Sequence, residues 1–173
     1  MPILTTTYDS ASATTDLSCT IASLATSATL ITGRQTAVID NSSNQYIDMQ
    51  LMGQIMTGTS PTVNTTIALF AWSVIKRVAS ASTYPRAGAT QLAATDAAAT
   101  WVLDQLPPLI WSTNVNATSD TSYPINVRSV AQIFGGVLPQ FYGFYLAHNT
   151  GVNLNSTAAN HWLTTTGIKI TST

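Results

Sequence analysis

Two aspartates, two histidines and one cysteine are the residues most able to do chemistry in this 173-residue chain. Asp40 and Asp48 form the closest suggestive carboxylate pair. Acid/base hydrolysis needs two such acids in one cleft with their pKa values pushed apart. Here they flank a turn and a strand start, so a turn aspartate beside a solvated strand aspartate is the ordinary reading. Cys19 with a histidine would make a thiolate nucleophile, but its alternating apolar neighbours point instead to a buried, inert thiol. His148 and His161 stand 13 residues apart across a loop, and Asp40 or Asp48 would be needed to complete a metal site. The spacing has no zinc pattern, which favours surface or edge histidines. No Gly-x-Ser-x-Gly nucleophile turn occurs, and Gly135-Gly136 stands alone rather than in a phosphate-cradling loop. Sequons begin at Asn41, Asn64, Asn116 and Asn155, a number that chance supplies among 29 Thr and 17 Ser. Among the tryptophans, Trp101 and Trp111 are the freer candidates for stacking on a sugar ring, while Trp72 and Trp162 fit core or subunit interface. The expectation is therefore no enzyme, no cofactor and no metal.

The elements that would hold these residues are strands. Thr, Val, Ile and aromatics favour extended backbone, whereas Glu is absent and Lys scarce, so straight-chain helix formers are few. Residues 1–16 read as an extended, Thr-rich arm, and 17–173 as a single β-sandwich domain. Leu17, Cys19 and Ile21 alternate with polar or small residues and suggest a strand ending in a bulge near Leu24. Gly33-Arg34 reads as a break, and the run Asp40-Asn41-Ser42-Ser43-Asn44 as a turn. Ile47, Met49, Leu51 and Ile55 share one strand face, with Tyr46, Asp48, Gln50 and Gln54 opposite. Ile67 to Ile75 is apolar on both faces, as is Phe141 to His148, where Phe141 and Tyr145 oppose Tyr142, Phe144 and Leu146. Strands of this kind are covered on two sides. Between them, Tyr84-Pro85 marks a turn, 91–104 is either an Ala-rich helix or a mobile insertion, and Leu109 to Trp111 begins a short strand. The closing strand places Trp162, Ile168 and Ile170 on one face and Leu163, Thr165 and Lys169 on the other. Seven or eight short strands with turn-rich loops make an antiparallel sandwich or jelly roll.

Charge narrows the function further. Only 8% of residues are charged, six Lys+Arg against seven Asp, for a net charge of −1; about 25% is usual. Without a basic face, electrostatic capture of nucleic acid is excluded. The longest apolar runs, such as Ile67 to Trp72, fall far short of the roughly 20 residues that span a bilayer, and the amino terminus shows no secretory signal. A free globule relies on surface charge to stay unassociated. So few charges predict that much of the exterior is covered by copies or partners, with Ile3, Leu4, Tyr8, Phe70, Trp72, Tyr142 and Phe144 as candidate interface residues in a dimer or trimer.

Several stretches carry a resemblance: Gly33-Arg34-Gln35-Thr36 to Asp40-Asn41, Tyr46-Ile47-Asp48, Thr57-Gly58-Thr59-Ser60-Pro61, Val130 through Pro139, Tyr142-Gly143, His148-Asn149-Thr150-Gly151 and Asn155-Ser156-Thr157. In two blocks, roughly 33 to 72 and 123 to 170, the chain resembles small virion structural proteins of tailed bacteriophages that decorate or cement the head shell. The resemblance implies a jelly-roll-like fold and a non-enzymatic place in the virion, assembled in the bacterial cytoplasm. The implied partners are other copies and the major capsid protein or other virion proteins. A neck, collar or tail component of the same particle is the alternative within that class, and a glycan-binding sandwich the alternative outside it.

Overall fold

The computed structural model of the chain describes residues 3–9, 15–74, 83–84, 92–93 and 95–172. Thirteen strands run through them: β1 (Leu4–Tyr8), β2 (Thr15–Asp16), β3 (Thr32–Gln35), β4 (Ile39–Asp40), β5 (Asp48–Met56), β6 (Thr66–Val74), β7 (Thr83–Tyr84), β8 (Leu92–Ala93), β9 (Ala97–Thr100), β10 (Leu109–Asn114), β11 (Ser122–Val127), β12 (Phe141–His148) and β13 (Trp162–Ser172). The fold is all-β, with antiparallel sheets in a sandwich-like arrangement. One sheet has the order β1-β13-β5-β11, with β2 also on β13; a second runs β10-β6-β12-β3-β9, with β4 also on β12; β7 and β8 pair with each other as a third. The Lys76-Arg77 pair, Pro85, Arg86 and arm residues 10–14 lie outside the described residues.

Strand alternation builds the core. Met49, Leu51 and Ile55 of β5 point inward and meet Ile67, Leu69 and Ala71 of β6 and Tyr142, Phe144 and Leu146 of β12. Opposite parities of β6 and β12 form a second cluster on the other side of the same sheet: Phe70, Trp72, Phe141 and Tyr145, with Trp101 over them. Tyr145 ties this cluster together. Its ring centroid lies 5.7 Å from Phe70 and 5.8 Å from Trp101, and its hydroxyl donates to Leu30 O at 3.0 Å. Both two-sided strands are thus covered on two sides, as their patterns require, and the cover comes from their own chain. Phe70, Trp72, Tyr142 and Phe144 are accordingly buried and present no face to a partner, which corrects their reading as interface residues. Ile3, Leu4 and Tyr8 are exposed.

Other expectations change for identifiable reasons. Residues 17–22 form no strand. Leu17 donates its N–H to Leu163 O, but Ser23 at φ 57° turns the chain away. Gly33-Arg34 lies inside β3. Glycine is needed there because a side chain would run into the Leu146 carbonyl of the adjacent β12. Ala97–Thr100 of the Ala-rich stretch is a strand paired with β3, followed by a short 3-10 turn at Leu103–Gln105. The arm segment Leu4–Tyr8 pairs antiparallel with β13 along its own domain. Its end is fixed by Asp9, which accepts a hydrogen bond from Tyr46 Oη and lies 3.7 Å from Lys169 Nζ. In β13 the inward parity is Leu163, Thr165 and Gly167, so Trp162 faces out.

Candidate functional site

The carboxylates expected to be solvated or paired are used as braces. Asp40 Oδ1 accepts from Ser42 N at 2.9 Å and closes the turn. Asp48 Oδ1 accepts from Met49 N at 2.7 Å and from Ala131 N at 2.9 Å. Asp96, which the sequence did not single out, is the most engaged acid: it takes Thr20 N at 2.8 Å and Arg34 Nε at 2.5 Å. Although burial opposes ionisation, these hydrogen bonds and the guanidinium hold its carboxyl below the usual value.

The histidines are structural and stand apart. His148 is fully buried, contrary to the surface or edge placement expected for it. Its Nε2 faces Leu24 O and its Nδ1 faces Thr150 Oγ1, each at 3.0 Å. A carbonyl only accepts, so Nε2 carries the proton. His161, half-buried, accepts from Met56 N at 3.3 Å through Nδ1 and donates to Asn155 O at 2.8 Å through Nε2. Burial lowers the pKa of both rings. Among the described residues, no three His, Cys or Asp side chains group as metal ligands would.

Folding does bring Cys19 and His161 to one cavity of about 260 Å³, shared with Ser18, Thr20 and Ala158. Linear spacing gave no signal of this meeting, which depends on residues 17–22 crossing beneath the turn at Ala158–Asn160. The pair is nonetheless not a dyad. Burial, with the charge of Asp96 adding to it, pushes the thiol up to about 12. Both ring nitrogens of His161 are committed to backbone groups, so no lone pair is free to take the thiol proton. Glycan stacking fares similarly: Trp101 is buried in the second cluster, and Trp111 packs partly buried against the first.

The unfilled surface is the outer face of the β1-β13-β5-β11 sheet. Alternation turns Leu4, Thr6 and Tyr8 of β1, Trp162, Thr164, Thr166 and Ile170 of β13, and Gln50, Met52 and Gln54 of β5 outward. The pairs Thr6–Ile170 and Thr164–Met52 are direct cross-strand neighbours, and Trp162 lies opposite Gln54. Leu4 is 70% exposed, Tyr8 59%, Ile170 51%, Met52 49% and Trp162 42%. No Lys or Arg of these strands shares the face; its acids by parity are Asp16 of β2, opposite Thr164, and Asp48 of β5, opposite Ile168. Single exposed apolar residues are commonplace, whereas five on one sheet face set this surface apart. Leu4 and Tyr8 were foreseen, and Trp162 was read as core or subunit interface on one face with Ile170; Met52 and Ile170 were not singled out as interface residues. No family model, no curated protein and no solved structure matches this chain.

Proposed function

We propose that this chain is a non-enzymatic structural protein of a tailed-phage virion that decorates or cements the head shell. One observation carries the reading: the outward parity of one sheet leaves Trp162, Met52, Ile170, Tyr8 and Leu4 exposed and holds no Lys or Arg of its strands. The resemblance read from the residues of the 33–72 and 123–170 blocks points to the same class. So does the use of the acids and histidines as internal braces. The four strands of this face hold 5, 11, 9 and 6 residues. At about 3.3 Å per residue and 4.8 Å between strands they cover about 500 Å². A stable pairwise complex buries about 800 Å² per partner. One copy of the face is thus a modest contact, suited to a lattice in which many copies hold by avidity.

The test is co-sedimentation of the purified chain with phage heads stripped of their decorating proteins. Saturable binding in hundreds of copies per head is expected, reduced at least tenfold by Trp162→Asp or Met52→Asp with the fold intact by circular dichroism. Failure of the wild type to bind, or unchanged binding by both variants, overturns the reading.

A further inference from the structure

We infer that the free edge of β1 pairs with the same edge of a second copy, antiparallel about a two-fold axis through Thr6. This deepens the shell-protein reading and rests on its premise that the chain self-associates. The parity of the β1–β13 ladder carries it. Asp9 N donates to Gly167 O at 2.9 Å. In the register Thr7–Lys169 and Thr5–Thr171, the odd-numbered residues therefore exchange hydrogen bonds with β13. Leu4, Thr6 and Tyr8 turn their N–H and C=O groups to the other side, where no strand lies among the described residues.

Such an edge is a template for another strand unless something blunts it. Lys, Pro and bulges are the usual protections, and Leu4-Thr5-Thr6-Thr7-Tyr8 has none of them. The segment also complements itself. About a two-fold at Thr6, Thr6 meets its own copy and Leu4 meets the partner's Tyr8, with Tyr8 meeting the partner's Leu4, so all three outward residues of each strand pair. Centring at Thr5 or Thr7 leaves one of the three outside the β1–β1 ladder. Leu4 and Tyr8 share the outer face, so each cross-strand contact is aliphatic on aromatic, a favourable pairing, and no charge within the segment meets its like. The two outer faces then join side by side into one plate of about 1,000 Å², which exceeds the ~800 Å² per partner of a standard complex.

Cysteine cross-linking of the full chain, in a Cys19→Ala background, reads the register directly. Cα atoms of a hydrogen-bonded antiparallel pair lie about 5.5 Å apart, within disulfide reach. Thr6→Cys is expected to form a disulfide-linked dimer on mild oxidation at least tenfold faster than Thr5→Cys, whose copies stand two residues out of register. Thr6→Pro deletes an outward N–H that β13 does not use; it is expected to sediment as a smaller species than wild type with an unchanged unfolding midpoint. If wild type associates but Thr6→Cys links no faster than Thr5→Cys, the edge pairing is overturned while the shell reading stands. A wild type that stays monomeric and ignores stripped heads overturns both.

Discussion

Mild acid should destabilise this protein through its two histidines, well above the range where carboxylates titrate. His148 is fully buried between Leu24 O and Thr150 Oγ1. The Thr150 hydroxyl is also 2.9 Å from Val152 O, so its single proton has two claimants while the ring is neutral. A charged ring would satisfy every partner, yet burial outweighs that gain and the pKa is lowered. The pKa of His161 is lowered for the same reason. Both groups bind a proton more readily unfolded, near 6.5, than folded. Their contribution is therefore complete above that value and declines as pH falls toward their folded pKa values. The limiting slope is about 1.4 kcal/mol per pH unit for each ring. One unit below the unfolded pKa, at pH 5.5, the loss is at most about 1.4 kcal/mol for the fully buried His148 and smaller for the half-buried His161. For a chain of this size the His148 share corresponds to a fall in Tm of up to about 3–6 °C. Thermal unfolding by circular dichroism at steps from pH 7.5 to 5.5 measures it, and His148→Gln should remove the larger part of the dependence. A midpoint flat across that range would refute the reasoning.

Three further outcomes follow from particular contacts. An added Cβ at Gly143 would stand 2.5 Å from Trp72 Cζ2, so Gly143→Ala must displace that ring and should cost about 1–3 kcal/mol in urea unfolding; a neutral result would mean the second cluster is loose. With its partly buried thiol pushed up to about 12, native Cys19 should react with iodoacetamide at pH 7.5 at least tenfold more slowly than the unfolded chain; comparable rates would contradict that shift. Asp9→Asn weakens the ties to Tyr46 and Lys169, which at about 1 kcal/mol for a half-exposed contact should speed exchange of the Thr5 and Thr7 amides about fivefold. Core amides of β12 should be unaffected, and equal acceleration in both places would show that the arm is not a separate unit.

How much of this was legible in the sequence depends on how strongly each segment is patterned. β12 was readable to the residue: large aromatics at 141, 142, 144 and 145 leave two faces that must both be filled, and Phe141 and Tyr145 do divide from Tyr142, Phe144 and Leu146. β5 was readable for the same reason. The Ala-rich stretch was not, because Ala and Thr are small enough to sit on either side of a strand or on a helix and so carry no period. In β13 the alternation divided Trp162 and Ile170 from Leu163 and Thr165 as in the structure, but it did not say which face is inward and left Trp162 as core or interface. The meeting of Cys19 with His161 and that of Asp96 with Thr20 and Arg34 depend on chain crossings far apart in sequence, which no local pattern encodes.

The two-sided strands bear directly on where a partner can sit. Read alone, β6 and β12 seem to reserve one face for another molecule, and that inference would direct a search to Phe70 and Trp72. Tyr145, Trp101 and Leu30 close that face from within the chain, so the apolar excess there stabilises the monomer and leaves nothing to share. The scarcity of charge then has to be explained elsewhere. Among the described residues, the outward parity of β1-β13-β5-β11 leaves Trp, Met, Ile, Tyr and Leu side chains exposed together, and no strand lies beyond its end strand β1. On the proposed reading, a partner that meets this chain broadly would meet it on that face or along that edge. Substitutions confined to Phe70 and Trp72 should cost stability and leave the recognition surface of the folded fraction intact.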